Sequence, residues 1–207
     1  MNPIPATIRK GRKFEQVLEG ARDIFLRDGF EGANVDDIAR AAGVSKATLY
    51  SYFPDKRLLF IEVFRQECDR QTLAALDQID LDAPVAEVLH HAAGLMVASF
   101  VNEFNQAVFR ICVAETDRFP ELGATFYRSG PRRLHDELAG FLAGVDGQGE
   151  VAIPDAALAA DQFIELCKAD LYLRHLLRID DSFAPEEIAR VIDGAVATFM
   201  ARYGVRT

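Results

Sequence analysis

Between Lys46 and Lys56 the chain gathers the side chains best suited to meet a polyanion: Lys46, Ala47, Thr48, Tyr50, Ser51 and Lys56. With Leu49 placed at the buried centre of a helix, a rotation of 100° per residue turns Ala47, Thr48, Tyr50 and Ser51 outward. Lys46 then lies at the edge of that outward face. The chemistry on offer is hydrogen bonding and charge neutralisation, not bond making. Lys46 supplies a cation for a phosphate or for guanine acceptors, Thr48 a hydroxyl for phosphate or base, and Ala47 a methyl to pack on thymine. Tyr50 and Ser51 add hydroxyls. Lys56, opening the next helix, reads as a phosphate clamp.

Such a surface works only if short helices hold it at a fixed angle. Phe14, Val17, Leu18, Ala21, Ile24 and Phe25 recur at three- and four-residue spacing and predict a first amphipathic helix ending at Gly29. Asn34 is placed to cap a second helix, with Asp37 in its first turn and Val35, Ile38, Ala39 and Ala42 inward. Gly43 fits a sharp turn where a side chain would be strained. Ser45 caps the third helix, Phe53 faces inward beside Tyr52, Pro54 ends the helix, and Asp55 caps a longer fourth through Leu59, Val63 and Phe64. A short helix, a glycine turn and a second short helix form the spacing that sets one helix into the major groove while another braces it. Arg40, on the second helix, is a further candidate for backbone contact.

The chain has 207 residues and a net charge of -9, which looks unfavourable for a nucleic-acid partner until it is divided. Residues 1–57 hold ten Lys/Arg against eight Asp/Glu, hence +2, and residues 58–207 hold thirteen against twenty-four, hence -11. Arg9, Lys10, Arg12 and Lys13 form a basic arm with no acid among them. This distribution fits contact with nucleic acid at one end only. Three cysteines, Cys68, Cys112 and Cys167, have no CxxC pairing and predict buried, reduced thiols in a cytoplasmic protein. The longest apolar stretch, residues 92–101, is too short to span a bilayer, and no signal peptide is visible. Nothing predicts a cofactor, and His90 and His91, adjacent on a helix, cannot share one metal. No nucleophile motif or glycine-rich phosphate loop points to an enzyme.

Beyond about Leu76 helix follows helix. Residues 83–104, 105–117, 120–129, 131–144, 155–177 and 185–203 carry the pattern, with Pro154 and Pro185 in first-turn positions of the last two. Residues 144–150, GVDGQGE, read as a flexible connection. The expected fold is all-α: a three-helix reading domain over residues 1–56 and a larger helical domain over 57–207.

The segments GARDIFLRDGFEG and VDDIARAAGVSKATLYSYFPDKRLLF resemble the TetR family of bacterial transcriptional regulators, with capped helix, turn glycine, serine cap, LYxxF and following lysine in order. The resemblance covers roughly residues 10–65. It departs at Ala33, where many relatives carry Thr or Ser, which puts a phosphate contact there in question. The segment ETDRFPELGATFYRSGP is similar to one seen in a subset of these regulators. The resemblance implies three DNA-reading helices, a helical body with a small-molecule pocket, a dimer interface on the last two helices, and a fourth helix that moves when ligand binds.

On that basis Phe100, Phe104, Arg110, Cys112, Phe126, His135, Phe163 and Cys167 are candidates to line a pocket for a lipophilic or aromatic effector. Arg110 either awaits an anionic ligand or pairs internally with Glu103 or Glu115; internal pairing is favoured because buried charges are normally matched. Ala160, Ile164 and Leu171, with Ile188, Val191, Ile192, Ala195 and Phe199, are candidates for a four-helix dimer interface, extended by Leu173, Leu176 and Leu177. The expected partners are double-stranded DNA bearing an inverted repeat, a small-molecule effector and a second copy of the chain, with no membrane. A ligand-responsive regulator, most simply a repressor, is the leading reading. A ligand-independent helical adaptor is the alternative.

Overall fold

The computed structural model describes residues 11–76 and 78–205, with side chains throughout except at 71–76. Arg9 and Lys10 of the basic arm lie outside the described residues. Among those described the fold is helical: α1 (Arg12–Gly32), α2 (Val35–Ala41), α3 (Lys46–Tyr52), α4 (Lys56–Leu76), α5 (Val85–Phe100), α6 (Glu103–Glu115), α7 (Pro120–Ser129), α8 (Pro131–Val145), α9 (Ala156–Leu166), α10 (Leu171–Leu176) and α11 (Pro185–Tyr203). The all-α expectation holds. A lone bridge between Val151 and Gly204 is the sole extended pairing among the described residues.

The chain divides into two compact units. The first unit takes the described residues up to Glu67 together with Ala107–Phe126; the second takes Cys68–Gln106 and the chain from Tyr127 onward. The reason is packing. The start of α4 buries Leu59, Phe60, Val63 and Phe64, and so forms one core with the reading helices rather than a separate body.

In the first unit α1 buries Phe14, Val17, Leu18, Ala21, Ile24 and Phe25, the stripe its spacing predicts. Phe25 meets Phe60 edge-on at 4.7 Å between ring centres, and Phe14 stacks on Phe53 at 5.4 Å. Each fully buried phenylalanine of this kind contributes about 1.5–3 kcal/mol. Gly29 interrupts α1 with φ +68°, so the helix bends there and one more turn leads to Ala33. Phe126 of α7 stacks on Phe64 at 5.1 Å and leans on Phe109 of α6 at 5.6 Å.

The second unit is built on α5, α8, α9 and α11, whose inner faces share one core containing Leu89, Ala93, Val97, Leu142, Phe163 and Phe199. Two expected helices prove shorter. The one predicted over 83–104 stops at Phe100, and the one over 155–177 is divided into α9 and α10. Asp170 takes φ +64° at that division, a left-handed conformation that ends helical propagation. Pro154 is not a first-turn residue: Asp155 caps α9 by accepting from Leu158 N–H at 3.0 Å, so the proline precedes the cap. Pro185 does open α11.

The link expected to be flexible is instead tied down. Gly147 and Gly149 take φ +77° and +104°. Ile153 N–H donates to the Asp146 carboxylate at 2.8 Å, and Val85 N–H donates to the Glu150 carboxylate at 3.0 Å. Glu150 thereby satisfies an orphan donor at the start of α5.

Candidate nucleic-acid interface

The reading surface rests on two caps and one turn. Asn34 Oδ1 accepts from Asp36 N–H at 2.9 Å and starts α2. Gly43 takes φ +63°, the left-handed step the turn needs. Ser45 Oγ accepts from Thr48 N–H at 3.1 Å and starts α3. Leu49, 1 % exposed, anchors α3 in the core. Lys46, Ala47, Tyr50 and Ser51 are exposed, and Thr48 is half-buried. The rotation inferred from Leu49 is therefore the one observed. Tyr52 is half-buried and meets Phe14 edge-on at 5.7 Å, while Phe53 is buried, as their inward assignment requires.

Several polar groups on this face are already engaged. Lys46 Nζ lies 2.7 Å from the Asp36 carboxylate, and that hydrogen bond holds its pKa above the ordinary lysine value. Both partners are about half exposed, so the bond is open to exchange with a phosphate. Thr48 Oγ1 shares a hydrogen bond with Ser45 Oγ at 2.9 Å, and Ser51 Oγ donates to the Thr48 carbonyl at 2.6 Å. Arg40 is paired with Asp37 at 2.7 Å. Lys56 is placed differently from a free clamp. Its ammonium donates to the carbonyls of Phe30 (2.7 Å) and Ala33 (3.2 Å) and lies 4.3 Å from the centre of the Phe30 ring.

Of the residues expected to line a pocket, some fall in each unit. Arg110, Cys112 and Phe126 belong to the first unit; Phe100, Phe104, His135, Phe163 and Cys167 belong to the second. Phe163 and Cys167 are wholly inside the core of α9 and α11, with Phe163 edge-on to Phe199 at 5.3 Å. His135 reaches Asp136 at 3.1 Å. Phe100 faces Tyr172 at 6.1 Å, with the Lys168 ammonium within 6 Å of both rings. Glu115 pairs with Arg57 at 3.3 Å, and Glu103 pairs with Arg178 at 3.5 Å.

The residues expected at a dimer interface lie mostly inside the subunit. Ala160, Ile164, Leu171, Val191, Ile192, Ala195 and Phe199 are buried within the subunit's own core, and Ile188 is half-buried against it. An apolar stripe marks the face that leaves water but does not say whether a subunit core or a second copy covers it. Among the described residues, apolar side chains left exposed in this part of the chain include Leu158 on α9, Leu173 on α10, and Leu177 and Ile179 just after it. An open groove of about 540 Å³ between α9 and α11 is lined by Leu166, Ala169, Phe199 and Tyr203 among others.

Comparison with known proteins decides what kind of molecule carries this surface. Residues 17–63 match the N-terminal pattern described as bacterial regulatory proteins, tetR family, and residues 87–205 match the C-terminal domain of AefR-like transcriptional repressors. The chain belongs to the TetR family of transcriptional regulators. RutR of Escherichia coli K12, an HTH-type transcriptional regulator, is 46% identical over 57 residues, which span 28% of this chain and only 27% of RutR. YdeS of Bacillus subtilis, an HTH-type regulator of uncharacterised role, is 27% identical over 191 residues, 88% of this chain and 89% of YdeS. Among solved structures, the flavonoid-responsive regulator FrrA is 34% identical with a TM-score of 0.70, covering 95% of this chain and 100% of FrrA.

TetR-family membership accounts for α2 and α3 but not for how the start of α4 is held to the end of α6. Arg57, the second residue of α4, donates to the Asp55 carboxylate at 2.9 Å, reaches Glu115 at 3.3 Å and lies 5.4 Å from the Phe119 ring centre. Neither this link nor the Lys56 contact is visible in sequence, since the partners lie tens of residues away. No group of three or more His, Cys, Asp or Glu gathers among the described residues in a way that could hold a metal. No single described helix is long and apolar enough to cross a membrane.

Proposed function

We propose that this protein is a cytoplasmic, homodimeric repressor that reads an inverted-repeat operator with α3 and releases it when a small molecule binds the second half of the chain. The observation that carries the reading is the exposed row Lys46, Ala47, Tyr50 and Ser51, with half-buried Thr48 beside it, on a helix capped by Ser45 and anchored by Leu49. Ala47 and Thr48 suit base edges, and Lys46, Tyr50 and Ser51 suit phosphates. Two such heads related by a two-fold axis require half-sites about one helical turn apart or slightly more. Dimerisation uses the apolar residues left exposed on and around α9 and α10, chiefly Leu158, Leu173, Leu177 and Ile179.

The effector class proposed is aromatic and largely apolar. The similarity to FrrA supports it. So does the aromatic content of the body, where Phe100 and Tyr172 sit with the Lys168 ammonium. Effector must favour a conformation in which the two heads no longer fit the operator, and a coupling of about 1–3 kcal/mol weakens DNA binding about 5–150-fold. The test is selection of bound duplexes from a random library, followed by challenge of the selected duplex with a flavonoid panel. An enriched inverted repeat, lost in Lys46→Ala/Tyr50→Ala and released by a flavonoid, is expected. No enrichment by the wild-type protein refutes the DNA reading; enrichment that no aromatic compound relieves refutes the effector class.

A further inference from the structure

Lys56 is the residue whose surroundings least match its expected part. A phosphate clamp should present its ammonium to solvent, yet two of its three donors are taken by main-chain carbonyls 26 and 23 residues earlier. Those carbonyls, of Phe30 and Ala33, belong to the short turn that follows the break at Gly29, where an ordinary helical ladder is interrupted and acceptors are left over. The Phe30 ring closes over the cation at 4.3 Å and itself packs on Phe60 of α4 at 5.0 Å. Ala33 is buried and is followed directly by Asn34, the cap of α2. One ammonium therefore fixes the distance between the first turn of α4 and the start of α2.

The adjacent residue faces the other way. Arg57 holds Glu115 at the end of α6 and lies against the Phe119 ring. The first turn of α4 is thus tied by consecutive residues to the end of α1 and to the end of α6 within one compact unit. Any shift of α4 must carry the α1–α2 junction with it, and through Gly43 the angle of α3.

Building on the DNA-reading function above, we propose that Lys56 is a positioning residue: it sets operator affinity by fixing the α1–α2 junction on α4, not by contacting a phosphate. The two roles separate in how binding depends on sequence and salt. A phosphate contact acts on all duplexes alike and adds about 0.9 to the slope of log K against log salt. A positioning contact acts only where base edges must be met at the right angle.

The experiment compares wild type with Lys56→Met, which keeps the stem and removes the cation, on the duplex enriched by the wild type and on a scrambled duplex across a salt series. The expected result is a loss of about tenfold on the enriched duplex, little change on the scrambled one, and an unaltered salt slope. Equal losses on both duplexes with a slope lower by about 0.9 overturn the proposal. A purely structural role would leave the ratio between the two duplexes unchanged in the folded fraction, and that outcome also overturns it. Acetylation of the wild-type protein with acetic anhydride, read by peptide mass, decides the matter even if the variant does not fold. Lys56 should label at the same rate with and without the enriched duplex while Lys46 becomes protected; protection of Lys56 alongside Lys46 refutes the proposal. Should the wild type enrich no duplex, the DNA reading fails by itself, and fast labelling of Lys56 in the free protein would refute the tie independently.

Discussion

Gly20 offers a test in which ordinary helix logic and this structure give opposite signs. It sits inside α1, where replacing glycine by alanine normally stabilises by about 0.5–1 kcal/mol through lost unfolded-state freedom. Here a Cβ on residue 20 would lie 2.6 Å from the main-chain nitrogen of Ala42 and 2.9 Å from both its Cα and its Cβ. Carbon contacts settle at about 3.5–4.0 Å, so the end of α2 would have to retreat by about 1 Å. The obstacle is largely backbone and cannot rotate aside, which puts the overpacking cost near about 3 kcal/mol, the upper part of the usual range. Subtracting the propensity gain leaves Gly20→Ala destabilised by about 2 kcal/mol, or about 4–8 °C in Tm for a chain of this size. Gly140 is the control: it is exposed within α8, and an added Cβ there meets nothing within 4 Å. Gly140→Ala should therefore stabilise by about 0.5–1 kcal/mol. The assay is denaturant unfolding of both variants at one protein concentration, since association would shift apparent stability. Because Ala42 leads directly into the Gly43 turn, Gly20→Ala should also weaken DNA binding at temperatures where it is folded. Stabilisation of Gly20→Ala comparable to that of Gly140→Ala would refute the close approach of α1 to α2.

Ser45→Ala removes the side-chain cap of α3 and should cost about 1 kcal/mol in chemical unfolding; Ser45→Asp should keep most of that stability yet lose DNA affinity, because it sets a carboxylate beside phosphates. Burial raises the thiol pKa to about 12 at Cys68, about 11 at Cys112 and about 12 at Cys167, against an ordinary value of 9. The native state then holds protons that the unfolded state has released, so this contribution is complete below pH 9 and is lost as pH rises toward 11–12. The denaturant midpoint should accordingly fall between pH 8 and pH 10, by about 1 kcal/mol per thiol, and all three thiols should resist DTNB at pH 8 until the protein is unfolded. Rapid native labelling would contradict this. Leu173→Glu with Leu177→Glu places charge where apolar side chains are exposed, and light scattering should show monomers with helical content intact; a persisting dimer would move the interface elsewhere.

The reading unit was legible because its signals are local. Asn34, Gly43, Ser45 and Asp55 each act within three residues of themselves, through caps and one left-handed step, and sequence spacing carries that information in full. Lys56 shows where such reading stops. As a residue type after an LYxxF segment it suggests a phosphate contact, but its acceptors are carbonyls, which every residue has and no sequence marks. Gly20 is another case, since only the approach of a second helix distinguishes it from any small residue in α1. The link at 144–150 reads as flexible from its glycines, while Asp146 and Glu150 within it supply the acceptors that fix it.

The last third of the chain was misread for a more general reason, and α10 makes it concrete. A continuous helix over 155–177 would keep one apolar face throughout. Instead Asp170 and Arg178, at φ +64° and +54°, bracket a six-residue helix. Left-handed conformations of such residues cost about 1–2 kcal/mol each. Arg174 helps to offset this by donating to Asp180 at 2.7 Å, Asp170 at 3.0 Å and Glu187 at 3.1 Å, and hydrogen bonds to these carboxylates, Asp180 foremost, raise its pKa above the ordinary guanidinium value. The break re-aims the apolar residues. Leu171 and His175 turn inward, at 1% and 4% exposure, while Leu173 and Leu177 turn out, at 57% and 61%. Within one subunit the break buries Leu171 and His175 but leaves two leucines facing water. Burial of those leucines in an assembly would repay the strain, so the irregularity that defeats a helical-periodicity argument is itself the reason to place the dimer contact at α10.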